Sequence, residues 1–212
     1  MAEEKKSNYQ LVYEGACREF ALYDPQEMAK KNGAEYDPAK KEFTLLYLNK
    51  EYLISYPEGR IALKDTGEET LTDEDKIMLI HYLYQATNTE LTKNWVPYRE
   101  LKGSGSYYGA FVRYGITPLA EFFGDKGDLF LRAGAKLGGK PYPFGDMGLE
   151  FTPLPNIPIA LVIWEADEEL EASANILFDY SATEEIHVED LAALGPRLAW
   201  EMIRIGKELF GQ

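Results

Sequence analysis

The chain has 212 residues, with 22 Lys and Arg against 36 Asp and Glu, a formal charge of -14, two His and one Cys. This length can bury about 70 % of the unfolded surface, while the charge argues against nucleic-acid backbones and anionic membrane surfaces as partners. One cysteine excludes a disulfide scaffold, a zinc ribbon and a self-contained iron–sulfur site; no apolar run reaches the roughly 18 residues of a spanning helix, and MAEEKKSNYQ has no apolar signal core, so a cytoplasmic protein is expected.

In chain order, residues 7–22 read as a helix capped by Ser7 or Asn8, with Leu11, Val12, Ala16 and Phe20 on one face. Asp24 and Pro25 offer a cap followed by proline at the first helical position, and Gly33 stops that short helix. Residues 43–48 and 52–56 flank Asn49-Lys50 as a hairpin, and 60–63 add a short strand. Thr72 followed by three acids starts a helix that runs to about Ala86. Residues 95–101 read as a short strand, and 106–123 and 128–137 as helices that end at glycines. Runs 148–154, 157–165 and 174–180 are strands. The second is continuously apolar over 159–164 and so central, and the short connections favour antiparallel neighbours. A last helix covers 188–210, with a break or kink expected at Pro196. No repeat and no linker divides the chain, so residues 1–212 read as one α+β domain, a largely antiparallel sheet with helices packed on it.

Charge is uneven along the chain. Residues 93–140 hold eight Lys and Arg against four acids, and no Lys or Arg stands between Lys140 and Arg197, where there are twelve acids. Either the basic middle and acidic end neutralise each other, or the basic middle lines a cleft that concentrates an anionic ligand. Segment 95–113, WVPYRELKGSGSYYGAFVR, sets Trp95, Tyr107, Tyr108 and Phe111 among Arg99, Lys102 and Arg113. Its Gly103-Ser104-Gly105-Ser106 stretch precedes a predicted helix, where free N–H groups can cradle an anion. The order of a phosphate-binding P-loop is missing. The carboxylates 165–171 could hold a hard cation, but the alternation of a calcium loop is absent, and a solvated connection explains them better. Asp179 either faces a cleft or caps a turn with Ser181, capping being favoured. His81 reads as a core histidine, His187 as exposed, and Cys17 as a small buried hydrophobe rather than a nucleophile.

At WVPYRELKGSGSYYGAF and IPIALVIWEADEELEASANILFDYSATEEIHVEDLAALG the chain resembles the DUF3786 domain, a family of unknown function from anaerobic bacteria and archaea, over roughly residues 10–205. The matching positions are Trp95, Arg99 and Glu100 in the first block, and Trp164, Glu165, Asp167, Glu168, Phe178 and Asp179 in the second. The resemblance implies an accessory domain in one-carbon, corrinoid or iron–sulfur settings. With Cys17 alone, a redox centre would belong to a protein partner. It implies no catalytic residue and no particular cofactor.

The leading expectation is a non-enzymatic binding or accessory domain that takes an anionic or planar small molecule in a basic, aromatic-lined cleft. Its candidate residues are Trp95, Arg99, Glu100, Lys102, Tyr107, Tyr108, Arg113, Trp164, Glu165 and Asp179, with Arg99 and Arg113 on the anion and Glu165 or Asp179 pairing Arg99 or a polar ligand edge. One alternative is a carboxylate enzyme, with or without Mg²⁺, which needs two of Glu165, Asp167 and Asp179 in one pocket. Another is an acidic interaction module that docks a basic partner through residues 146–190.

Overall fold

The α+β expectation holds in the computed structural model, which describes residues 7–69 and 71–211. The chain divides between Thr89 and Glu90 into two units, each with its own antiparallel sheet. Among the described residues no helix is long and apolar enough to cross a membrane.

In the first unit, α1 (Asn8–Phe20) starts at a capping box in which Ser7 and Gln10 satisfy each other's backbone N–H. Asp24 caps α2 (Pro25–Asn32), and Gly33 ends it with a φ of 71°. Strands β1 (Glu35–Asp37), β2 (Glu42–Tyr47), β3 (Lys50–Ser55) and β4 (Ile61–Leu63) form a meander, followed by α3 (Asp73–Gln85). The hairpin turn falls on Leu48 and Asn49, both at positive φ (47° and 63°), one residue earlier than the composition suggests. Two positive φ values match the right-handed twist of the flanking strands. Phe43, Leu45 and Ile54 are fully buried with Leu79, Ile80 and Tyr82 of α3. Buried Asn32 pins the helices together: its side-chain amide donates to the Leu83 carbonyl (2.9 Å) and its backbone carbonyl accepts from the Tyr82 hydroxyl (2.8 Å). The expected face of α1 is only half right. Ala16 and Phe20 are buried, but Leu11 and Val12 are exposed, because the covered stripe begins at Tyr13, whose hydroxyl donates to the Gly59 carbonyl.

In the second unit, β5 (Trp95–Pro97) leads through two 3₁₀ turns to α4 (Tyr108–Phe111), a π-helix over Val112–Ile116, α5 (Thr117–Phe123) and α6 (Gly127–Lys136). Then come β6 (Lys140–Pro141), β7 (Met147–Leu154), β8 (Ile157–Trp164), β9 (Ser173–Asp179), α7 (Ala182–Glu185) and α8 (Val188–Phe210). The sheet order is β5-β9-β8-β7-β6, so the apolar β8 is central as expected, and all pairings are antiparallel.

Two sequence expectations need correction: residues 106–123 are not one α-helix, and 98–101 are not strand; at Pro196, where a break or kink is expected, α8 continues without a break. The π-register has a local cause. In α-helical register the Tyr114 carbonyl would accept from residue 118, but Pro118 has no N–H. Thr117 N–H instead reaches back to the Val112 carbonyl, and the Tyr114 carbonyl takes the Trp200 Nε1–H of α8 at 2.9 Å.

The two faces of this sheet are covered differently. Ile159, Leu161, Ile176 and Phe178 alternate toward the helices: Phe111 of α4 lies 6.0 Å from Phe178, and Pro196 and Ile176 crowd Gly115 of the π-helix. Ala160, Val162 and Leu177 point the other way. They are buried under Trp95, Tyr142 and Trp164. Residues 142–146 cross this face, with Gly145, at a φ of 75°, set so tightly on Val162 and the Ile163 carbonyl that a Cβ there would overlap them.

Candidate functional site

The register separates the expected cleft residues. Trp95 pairs with Asp179, and Trp164 with Ser173, which puts both tryptophans on the loop-covered face. Trp95 meets Tyr142 at 5.1 Å and Trp164 meets Phe144 edge-on at 5.9 Å. The sheet thus lies between these rings and the helical layer that carries Tyr108 and Arg113. Composition could not place Tyr142 and Phe144 there, since only strand order and register reveal which rings share a face.

Segment 98–113 is bonded to itself. Arg99 and Glu100 are exposed on the first 3₁₀ turn and Lys102 on the connection to the second, and among the described residues they make no ion pair. The Gly103–Ser106 loop has no free cradle at Ser104: its hydroxyl donates to the Arg99 carbonyl at 2.9 Å and its N–H to the Leu101 carbonyl at 3.2 Å. Tyr107 is half-buried, its phenol raised by a hydrogen bond to Glu189 and by that carboxylate's charge. Arg113 is exposed, 5.7 Å from the Tyr114 ring.

Asp179 is a clamp. Its carboxylate accepts from Thr92 N–H (3.0 Å), Thr92 Oγ1 (2.8 Å), Lys93 N–H (2.6 Å), Ser181 N–H (3.0 Å) and Ser181 Oγ (2.6 Å). Burial pushes its pKa up, but the Ser181 and Thr92 hydrogen bonds together outweigh that and hold it below the usual carboxylate range. The turn-capping reading is therefore the one the geometry supports.

Glu165 lies at the other end of the sheet. Along antiparallel β8 and β9 it is six or more residues from the level of Asp179, about 20 Å at 3.3 Å per residue. That is well outside the roughly 5–9.5 Å over which two carboxyls share one reaction. Asp167 is engaged by the N–H groups of Glu169 and Leu170, both at 2.8 Å, which hold its pKa down. Among the described residues no three His, Cys, Asp or Glu stand together to hold a metal.

Three clefts of this unit lie around α5 and the α5–α6 turn. One, of about 560 Å³, has a floor of Ala120, Gly124, Ala166 and Ala172 and carries Glu121, Lys126 and Glu171 on its walls. A second, of about 720 Å³, lies between Lys126, Asp128, Arg132, Glu165 and Phe210. A third, of about 220 Å³, is lined by Pro118, Glu121, Phe122, Trp200, Ile203 and Lys207. Of the residues expected from sequence, Glu165 alone lines one of these three clefts. Two close approaches shape them. A Cβ on Gly124 would overlap Ala172 and the Ala120 carbonyl, and one on Gly127 would meet Met147 and Glu165 Oε1. The α5–α6 turn is thereby packed on the β8–β9 hairpin.

That hairpin is the most acidic feature of the unit. Glu165, Asp167, Glu168, Glu169 and Glu171 are all exposed, Asp146 joins them by accepting the Glu165 N–H at 2.8 Å, and Leu170 stands 70 % exposed among them. Asp179, Glu185 and Asp190, in the same cation-free stretch of sequence, are buried instead.

Residues 24–200 match a family model described as "Domain of unknown function (DUF3786)". The chain belongs to the DUF3786 family. No curated protein and no solved structure gives a significant match. The DUF3786 match begins at the cap of α2 and ends within α8. It contains every candidate residue named from sequence and the whole acidic hairpin, and it stops before Lys207 and Phe210.

Proposed function

We propose that this chain is a non-catalytic accessory module that docks a basic surface of a partner protein through the acidic end of its second sheet. The observation that carries the reading is the exposed 165–171 hairpin, where carboxylates flank one large exposed apolar residue, Leu170. The arrangement resembles a small interface, with an apolar anchor inside a charged rim. Opposite charge on a partner would speed encounter and select against acidic surfaces. The adjoining clefts of about 560 and 720 Å³ carry both acids and bases and are open to solvent. They suit lysine and arginine side chains better than an enclosed, mostly apolar small ligand. In the setting the family resemblance implies, the partner carries the iron–sulfur or corrinoid centre.

The test uses a photo-reactive residue at position 170 in the native host, with the cross-linked peptide sequenced. The reading expects a lysine- or arginine-rich peptide, lost when Glu168, Glu169 and Glu171 are changed together to Gln. Cross-linking that survives the triple change, or that joins an acidic or apolar peptide, overturns it.

A further inference from the structure

A separate site lies on the helical side of the second unit, where α5 meets α8. Trp200 is 44 % exposed, yet its orientation is fixed, because Nε1–H is spent on the carbonyl that Pro118 leaves without a helical donor. Lys207 follows two turns later on the same helix face. Its ammonium lies 5.9 Å from the centroids of both the Trp200 and the Phe122 rings. Gly206 makes room for Phe122, since a Cβ there would come within 2.7 Å of the ring. Among the described residues Lys207 has no carboxylate partner, whereas Lys126, 5.9 Å from the same Phe122 ring, is paired with Asp125.

We infer that Phe122, Trp200 and Lys207 form a binding site for a small aromatic monocarboxylate. The size of the cleft sets the class. About 220 Å³ exceeds the roughly 150 Å³ that takes up benzene, and falls short of the ~300–1,000 Å³ of sites for drug-sized ligands. One ring and one carboxylate fit within it. Pro118, Ile203, Phe122 and Trp200 supply apolar walls for the ring, and Lys207 supplies a charge-assisted hydrogen bond to the carboxylate. Lys207 is the single cation lining the cleft and Glu121 its single acid, so the cleft accommodates no more than one carboxylate.

The experiment titrates the full chain with benzoate, with benzamide as its neutral isostere, and follows tryptophan fluorescence and heat. Benzoate is expected to saturate a single site and benzamide, whose carbonyl still accepts from the ammonium but carries no charge, to bind about tenfold more weakly. Lys207→Met should cost benzoate about the same factor, Lys207→Arg should retain binding, and Lys136→Met, elsewhere on the surface, should leave it unchanged. The site is overturned if benzoate does not saturate, if benzamide binds as tightly, or if Lys207→Met binds like the parent chain. The docking reading does not depend on any of these outcomes.

Discussion

The two ends of β9 carry carboxylates put to opposite uses. At its C-terminal end Asp179 is buried and saturated by Thr92, Lys93 and Ser181, which tie the start of the second unit to the sheet. Before its N-terminal end, Glu168, Glu169 and Glu171 stand in solvent around Leu170. All carry the same carboxylate group, and its charge does not distinguish them. Burial and the supply of N–H and O–H donors do, and these follow from where the chain turns: Ser181 and the 92–93 loop bring donors to Asp179, while on the hairpin only Asp167 is given backbone N–H groups.

The contrast can be broken by substitution. Asp179→Asn places an amide where the Lys93 N–H needs an acceptor, and should cost about 2–3 kcal/mol in chemical denaturation; a loss no larger than that of the hairpin variants would erase the distinction. Gly124→Ala drives a Cβ into Ala172 and the Ala120 carbonyl at the base of the hairpin, and about 1–3 kcal/mol should be lost as overpacking. Trp200→Phe removes the donor to the Tyr114 carbonyl and should cost about 1 kcal/mol, with backbone amide shifts confined to 112–118 and the facing turn of α8. The triple change of Glu168, Glu169 and Glu171 to Gln should move stability by no more than about 0.5 kcal/mol.

Acid sharpens the same comparison. Because the folded pKa of Asp179 is lowered, its contribution is complete above the ordinary aspartate range near pH ~4 and is lost as pH falls through the lower folded value. A pH titration of stability should lose this slope in Asp179→Asn and keep it in the hairpin triple variant.

Much of the architecture was legible in the sequence. The apolar run 159–164 announced a central strand, Thr72 and its acids the start of α3, and Asp24-Pro25 with Gly33 both ends of α2. These are local signals. The π-register was not legible as a length pattern, although Pro118 held its cause, because the substitute donor, Trp200, lies far along the chain. The candidate cleft fared differently. Trp95 was sent to one face of the sheet and Tyr108 and Arg113 to the layer on the other once β5 paired with β9, a long-range contact that no spacing encodes. Charge patterning located the acidic stretch correctly, but could not separate buried Asp179, Glu185 and Asp190 from the exposed hairpin.

The most direct test of the docking claim is the dissociation constant of the complex with the cross-linked partner, measured across a range of salt for the parent chain and for the hairpin triple variant. Affinity that falls steeply with salt in the parent, and that is weaker and nearly flat in the variant, is the predicted result. The same affinity and the same salt slope in both proteins would contradict it.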